Sequence, residues 1–99
     1  MRVRLTDAAL DDLTSIGRYI MEAGSDRGEA FVREIEQRCL ELGFMPEAYP
    51  LLPGREGSGI RRCTFREYLI IYRVHSGFVE IIRVLHGARD IDGLLFPDD

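Results

Sequence analysis

The opening 24 residues carry two hydrophobic periods in succession. Residues 2–5 alternate arginine with valine and leucine, and this period of two predicts a short strand. Thr6 follows with a side-chain oxygen that can cap a helix. The next apolar side chains recur at helical spacing, at Ala9, Leu13, Ile16 and Ile20. The pattern therefore predicts an amphipathic helix that begins after Thr6 and ends at Ala23-Gly24.

A second helix is predicted directly after that glycine. Asp26 and Glu29 have the spacing of a capping pair, with aspartate in the place of serine or threonine. The apolar positions that follow at helical spacing are Val32, Ile35, Cys39 and Leu42. Gly43 is expected to end the helix. Because the link between the two helices is short, we expect them to pack antiparallel.

The second half of the chain is predicted to form strands. Residues 44–59 contain three prolines and three glycines, which predict a loop. Three strands are predicted after it: Ile60–Phe65, Leu69–His75 and Phe78–Leu85, the last two joined by a two-residue turn at Ser76-Gly77. The predicted order is β-α-α-β-β-β. This is an α+β fold of one domain over residues 1–99, with a helical hairpin packed on a mainly antiparallel sheet.

The hairpin turn also predicts which side chains share a face. A two-residue loop sets Arg73 opposite Glu80, a pairing of opposite charges worth about 0.2–1 kcal/mol. One face then carries Leu69, Ile71, Ile82 and Val84 with Arg73 and Glu80. The other carries Ile70, Tyr72, Val74, Val79, Ile81 and Arg83. Because one helical hairpin covers one face, the second apolar face needs either the C-terminal tail Ile91–Phe96 or another chain.

Composition limits the classes of protein that this chain can belong to. The 99 residues are 45% apolar and 30% charged, which is enough for one ordered core. No apolar run reaches the length of a membrane span, and the N-terminus lacks a secretory signal, so we expect a cytoplasmic protein. Cys39 and Cys63 lie 24 positions apart without a second ligand pair beside either, which favours buried thiols over a zinc or redox site.

Charge is distributed unevenly along the chain. All 13 basic residues are arginines, and 17 acids give a net charge of −4, which disfavours a generally basic nucleic-acid binder. Residues 1–54 hold six arginines and ten acids, whereas residues 55–89 hold seven arginines and three glutamates. Any basic surface is therefore expected in the second half.

One histidine and several arginines in this half are candidates for chemistry. His86 ends the last predicted strand, and an imidazole with arginines and Tyr72 nearby has the groups for acid–base cleavage of RNA. A histidine that bonds Asp90 and fixes the tail would give the same sequence pattern. The arginines are Arg61, Arg62, Arg66, Arg83 and Arg89. They can hold phosphates or acidic side chains of a partner, or they can belong to a solvated strand face.

Three stretches of the chain match motifs of a known toxin family. They are LTDAALDDLTSIGRYI at 5–20, YLIIYRV at 68–74 and VEIIRVLHGARD at 79–90. On these motifs the chain resembles the RelE/ParE toxins of type II toxin–antitoxin modules, and the two later stretches resemble the ParE branch. The fold that the resemblance implies agrees with the predicted β-α-α-β-β-β order.

The resemblance implies one of two activities: cleavage of ribosome-bound mRNA, as in RelE-like toxins, or inhibition of DNA gyrase, as in ParE proteins, which trap gyrase while DNA is cut. RelE-like ribonucleases have an arginine where this chain has Leu69 and a tyrosine where it has Gly87. The acidic balance also disfavours docking on ribosomal RNA. Gyrase inhibition is therefore favoured. If the chain is a ribonuclease instead, His86 and Arg83 are the expected catalytic residues.

The resemblance also implies partners. A ParD-like antitoxin is expected to wrap around the toxin, and its own DNA-binding domain would carry the hetero-oligomeric complex to operator DNA. The candidate antitoxin contacts are Leu13, Ile20, Tyr72 and Ile81. The candidate target contacts are Arg61, Arg62, Arg83, His86 and Arg89. A third hypothesis, a non-toxic antitoxin-binding module, stays open. No cofactor or metal is expected.

Overall fold

A four-stranded sheet with two long helices forms the framework of the computed structural model, which describes residues 1–98. The elements are β1 (Arg2–Leu5), α1 (Asp7–Glu22), α2 (Gly28–Glu41), β2 (Ile60–Phe65), β3 (Tyr68–His75), β4 (Phe78–His86) and α3 (Ile91–Leu95), with a 3-10 turn at Glu56–Ser58. The strands lie in the order β1-β4-β3-β2, and only the β1–β4 pair among them is parallel. The predicted α+β order is confirmed, with α3 added at its end.

The start of α1 confirms the predicted cap. Thr6 Oγ1 accepts a hydrogen bond from the Ala9 amide at 3.0 Å and donates one to the Ile82 carbonyl at 2.7 Å. The same threonine therefore begins the helix and ties it to β4. The helix ends before Gly24, whose φ of +94° suits glycine.

The predicted cap of α2 is wrong. The helix begins at Gly28, and no side chain caps it. Ser25 Oγ instead accepts from the Arg27 amide, which forms a local turn in the link. Gly28 is needed there because a Cβ would lie 2.5 Å from the Gly17 carbonyl oxygen. Gly17 lies near Val32, whereas Met21, one turn later in α1, lies near Gly28, one turn earlier in α2. The two helices are therefore antiparallel, as predicted.

The hairpin between β3 and β4 has the predicted register near its turn and a bulge further along. Arg73 lies opposite Glu80, although the Glu80 carboxylate is bonded to His75 at 2.9 Å. At the bulge Tyr72 pairs with Ile81 and Ile71 pairs with Arg83, so Ile82 is the extra residue.

Beyond this bulge, the β4 residues that point to each face of the sheet are shifted by one position. Val84 packs in the core beneath the helices, whereas Leu85 packs on the opposite side of the sheet. The prediction that Ile82 and Val84 share a face is therefore wrong. Two adjacent isoleucines at 81 and 82 gave no sign in the alternation that one was an insertion.

Each face of the sheet has its own apolar cover. Between the helices and the sheet lie the fully buried side chains of Ile35, Cys39, Cys63, Ile70, Tyr72, Val79 and Ile81. On the other face, Leu52, Ile60, Ile71 and Leu85 are covered by Ile91, Leu94, Leu95 and Phe96. The tail therefore covers the second face, as the first of the two predicted alternatives proposed.

Arg55 fastens that tail. Its guanidinium binds Asp92 through two hydrogen bonds of 2.8 and 2.9 Å and lies 4.0 Å from the centre of the Phe96 ring. The hydrogen bonds from Arg55 lower the pKa of the Asp92 carboxyl.

Among residues 1–98, no helix combines the length and apolar character needed to cross a bilayer. No group of three metal-ligating side chains converges in the same part of the chain.

Candidate target cavity and helical groove

A cavity of about 510 Å³ opens where the end of β4 meets α1. Its polar lining consists of Asp12, Ser15, Tyr19, Tyr68, Arg83, His86 and Arg89, and we call it the end cavity. The strand register places Tyr68 opposite His86, and their rings meet edge to face with centroids 5.3 Å apart. Without the bulge at Ile82, the two-residue turn would have placed Leu85 opposite Tyr68. The bulge therefore brings the histidine to this cavity.

Arg83 is committed to a carboxylate of α1. Its Nε and Nη2 donate to Asp12 at 2.7 and 2.8 Å, and the Val84 amide donates to the same carboxylate at 2.9 Å. The hydrogen bond to Asp12 raises the pKa of Arg83 above its ordinary value. The two side chains are only 26% and 12% exposed, so little water competes for these bonds. Arg83 thus joins α1 to β4, and its charge is neutralised.

His86 and Arg89 are two exposed donors of the end cavity. The Ala88 amide donates to His86 Nδ1 at 3.1 Å, so the neutral ring carries its proton on Nε2. Arg89 is exposed and forms no ion pair within residues 1–98. Burial raises the pKa of Tyr68, which keeps its hydroxyl protonated. The cavity therefore offers one free guanidinium and one imidazole N–H to an anionic group.

The candidate arginines of β2 lie elsewhere. Arg61 donates to the carbonyls of Tyr49 at 2.7 Å and Glu47 at 3.4 Å, so it holds the loop before β2 in place. Arg61 and Arg62 point to opposite faces of the strand, and they pair with the middle of β3 rather than with its first residue. The structure does not bring them together with His86 and Arg89.

Tyr72 does not stand near His86 either. Its hydroxyl donates to the Pro46 carbonyl at 2.7 Å, and burial raises its pKa to about 12. The tyrosines of the end cavity are Tyr19 and Tyr68, which sequence reasoning missed. The spacing of Asp12 and Tyr19, seven residues apart and hence on one side of α1, is a signal that points to this face.

A groove of about 720 Å³ runs between α1 and α2. Its apolar lining consists of Leu10, Leu13, Gly17, Met21 and Val32, and its charged rim of Arg18, Glu22, Glu29 and Glu36; we call it the helical groove. Gly17 and Gly28 let the two helix backbones approach closely, and Gly17, which lines the groove, adds no side chain to fill it. Leu10 and Met21 remain 48% and 59% exposed.

The four candidate antitoxin contacts fall in different environments. Leu13 lines the helical groove, and Ile20 is half-buried against the core. Tyr72 and Ile81 are fully buried beneath the helices, so they present no surface to a partner in this fold. Sequence reasoning assigned the wrong cover to this face: the chain's own helical hairpin lies over it.

Comparisons with known proteins agree with this architecture. The model of the family described as "ParE toxin of type II toxin-antitoxin system, parDE" matches residues 3–91. A solved structure titled "Chromosomal ParDE TA system from P. aeruginosa" superposes with a TM-score of 0.70 at 20% sequence identity, covering 87% of this chain and 95% of that one. No curated protein sequence matches the chain. Since the family model spans most of the sequence, the chain belongs to the ParE toxin family of type II toxin–antitoxin systems.

Proposed function

We propose that this toxin inhibits DNA gyrase in the cytoplasm as a binding protein and that a ParD-like antitoxin neutralises it. Membership of the ParE family supports the gyrase target. The groups of the end cavity support binding over catalysis, and the helical groove supplies a surface for the antitoxin. Contact with operator DNA would come through the antitoxin.

The observation that carries the proposal is the pairing of Arg83 with Asp12. Acid–base cleavage of RNA needs a cationic clamp on the phosphate and two groups that transfer protons. Arg83 donates from Nε and Nη2 to Asp12, so Arg89 is the arginine of the end cavity that has no ion-pair partner within residues 1–98. Tyr68 stays protonated and so cannot accept a proton, and the Asp12 carboxylate is held by three hydrogen bonds. The arrangement favours a binding surface with a fixed shape.

The end cavity is suited to an anionic group of the target. His86 Nε2–H at the end of β4 and the Arg89 guanidinium three residues later are hydrogen-bond donors of this cavity. Tyr19 also lines the cavity and is 68% exposed. Charge-assisted hydrogen bonds from such donors are about twice as strong as neutral ones. We therefore assign target contact to these three side chains. Arg83 positions the strand end behind them.

The helical groove is suited to a helix of the antitoxin. Its apolar floor can receive side chains at helical spacing. Three glutamates and one arginine on its rim favour basic residues beside those apolar anchors. Of the candidate contacts, Leu13 belongs to this floor, and we add Leu10 and Met21, which sequence reasoning did not select.

The target is tested with purified toxin in two parallel assays. Gyrase with supercoiled DNA should yield toxin-dependent linear DNA after the enzyme is denatured, and mRNA on translating ribosomes should stay intact. Arg89→Glu should reduce the linear DNA, whereas Arg33→Glu, an exposed charge reversal on α2, should not. Codon-specific mRNA cuts that disappear in His86→Ala would instead establish the ribonuclease and refute the proposal.

Neutralisation is tested by measuring antitoxin affinity. Met21→Asp puts a charge in the helical groove, and the lost burial of about 1.5–3 kcal/mol corresponds to a roughly 10- to 100-fold weaker complex. Ala30→Asp is the matched control, because Ala30 is an exposed α2 residue that does not line the groove. Equal affinities of the two variants would contradict the assignment of the groove.

A further inference from the structure

The tail covers only part of the sheet face opposite α1 and α2. Its apolar side chains pack against a cluster that includes Ile71 and Leu85. The part of this face nearer the Ser76-Gly77 turn carries polar and aromatic side chains instead, those of Arg73, His75, Phe78 and Glu80. None of these four residues lines the end cavity or the helical groove.

Strand β1 adds two arginines to this part of the face. The core beneath the helices holds the side chains of Val3 and Leu5. By alternation Arg2 and Arg4 lie on the other face, and both are exposed. The Arg4 guanidinium lies 4.8 Å from the centre of the Phe78 ring. Neither arginine has an ion-pair partner among residues 1–98.

Arg73 is a half-buried arginine without a partner. Its Nε is buried and has no acceptor, and its side chain forms no ion pair in the described part of the chain. Ile60, which pairs with Arg73 in the strand register, belongs to the apolar cluster under the tail. A buried donor without an acceptor is unfavourable, and a ligand that accepts from it removes that cost.

One carboxylate lies among these arginines without neutralising them. Glu80 stands between Arg4 and Arg73 in the strand register. Its carboxylate is bonded to His75 Nε2 at 2.9 Å, and it forms an ion pair with neither guanidinium. We call Arg2, Arg4 and Arg73 the arginine face. This face is positive, although the chain as a whole has a net charge of −4.

The positions of these arginines suit a row of anionic groups. Residues two apart on a strand are separated by about 6.6 Å, and strands two places apart in a sheet by about 9.6 Å. Arg2 and Arg4 have the first relation, and Arg4 and Arg73 have the second. The guanidiniums are therefore spread over the sheet, as contact with successive phosphates of a nucleic-acid backbone requires. The planar fork of donors on each arginine also matches the oxygens of a phosphate.

We propose that the arginine face binds the backbone phosphates of duplex DNA. The choice of DNA over an acidic polypeptide rests on the proposed function, because gyrase presents duplex DNA to a toxin that is bound to it. The arginine face would contact this DNA while the end cavity contacts the enzyme. Phosphate contacts carry no base information, so binding is independent of sequence and adds nothing to the recognition of operator DNA.

Fluorescence anisotropy of a short labelled DNA duplex measures this contact without gyrase. The logarithm of the association constant should fall with the logarithm of salt concentration with a slope of about −2.7, the value for three phosphate contacts. Arg2→Gln should make the slope shallower by about 0.9 and weaken binding about fivefold at low salt. Arg27→Gln is the matched control, because Arg27 is an exposed arginine beside α2, and it should change neither quantity.

Arg73→Gln tests the half-buried guanidinium. It should make the slope shallower by the same amount as Arg2→Gln, since each variant removes one phosphate contact. Circular dichroism checks that the variant is folded. Because Arg2 is exposed, Arg2→Gln keeps the inference testable even if Arg73→Gln unfolds.

Competition identifies the anion. An unlabelled duplex should displace the labelled one at a concentration of charge at which polyglutamate and inorganic phosphate do not. Polyglutamate that competes as well as the duplex would assign the face to an acidic polypeptide and overturn the inference. Equal competition by inorganic phosphate would reduce the face to a site for single anions and overturn it as well.

Two further results would refute the arginine face. One is a salt slope that is the same in the parent, Arg2→Gln and Arg73→Gln. The other is the absence of DNA binding at low salt. If the toxin then still yields linear DNA with gyrase, and Arg89→Glu still reduces it, the proposed function stands and only the DNA contact fails.

Discussion

Removal of the Asp12 carboxylate should destabilise the fold more than removal of its partner guanidinium. Asp12 accepts three hydrogen bonds, two from Arg83 and one from the Val84 amide. Asp12→Ala leaves a half-buried cation and a buried amide without an acceptor. With the pair only partly exposed to water, we expect a loss of about 3 kcal/mol in the free energy of unfolding.

Arg83→Ala should cost less, about 2 kcal/mol, because the remaining carboxylate keeps its bond to the Val84 amide. The double variant should lie close to Asp12→Ala alone, with a coupling energy of about 1.5 kcal/mol. Each kcal/mol corresponds to a shift of about 4–8 °C in Tm for a domain of this size. Asp11→Ala is the control, since Asp11 is the exposed neighbour on α1.

The measurement is urea denaturation followed by circular dichroism, with all variants compared at low and high salt. A half-buried pair should keep most of its coupling at high salt, unlike an exposed one. If the two single losses simply add in the double variant, the Asp12–Arg83 contact does not stabilise the fold. In that case Arg83 does not have a structural role, and it becomes a candidate target contact again.

Other outcomes follow from burial, close packing and charge. Cys39 should react with a thiol reagent at neutral pH only as fast as the protein opens, because burial raises its pKa to about 12; rapid labelling of the native protein would contradict this. Gly28→Ala should cost more than about 2 kcal/mol in a denaturation assay, since its Cβ would meet the neighbouring helix backbone, whereas Gly57→Ala, with open space around it, should be nearly neutral. The Asp92–Arg55 contact should stabilise the tail at pH values above the ordinary carboxyl pKa of 3.8, and this stabilisation should be lost as the pH falls through the lowered pKa of Asp92 in the folded state. Faster hydrogen exchange of the α3 amides would report the loss. Unchanged exchange at that low pH would refute the prediction.

Local patterns in the sequence were sufficient for most of the elements. The alternation in residues 2–5, the cap at Thr6 and the helical stripe after it involve neighbours along the chain, and the structure confirms each. The Ser76-Gly77 turn belongs to the same class, because a two-residue loop sets the pairing beside it without help from elsewhere. The three motif stretches at 5–20, 68–74 and 79–90 all lie within residues 3–91, the span that the ParE toxin family model matches.

Contacts between distant residues decided the rest. The bulge at Ile82 moved Val84 to the helix side and brought His86 beside Tyr68, yet two adjacent isoleucines gave no local sign of it. Asp12, the partner of Arg83, lies 71 positions away along the chain. The local sequence therefore gave no sign of this pairing, and Arg83 was a candidate for binding a phosphate.

Which element covers an apolar face was likewise a tertiary outcome. The sequence by itself determined that both faces of the β3–β4 hairpin are apolar, because alternation is a property of the strand. It did not determine that α1 and α2 would bury Tyr72 or that the tail would cover Ile71, since either face gains similar free energy from an apolar cover. Contacts between distant parts of the chain decide it: α1 and α2, which approach closely at Gly17 and Gly28, cover Tyr72, and the tail covers Ile71. The same contacts leave the helical groove open to a partner.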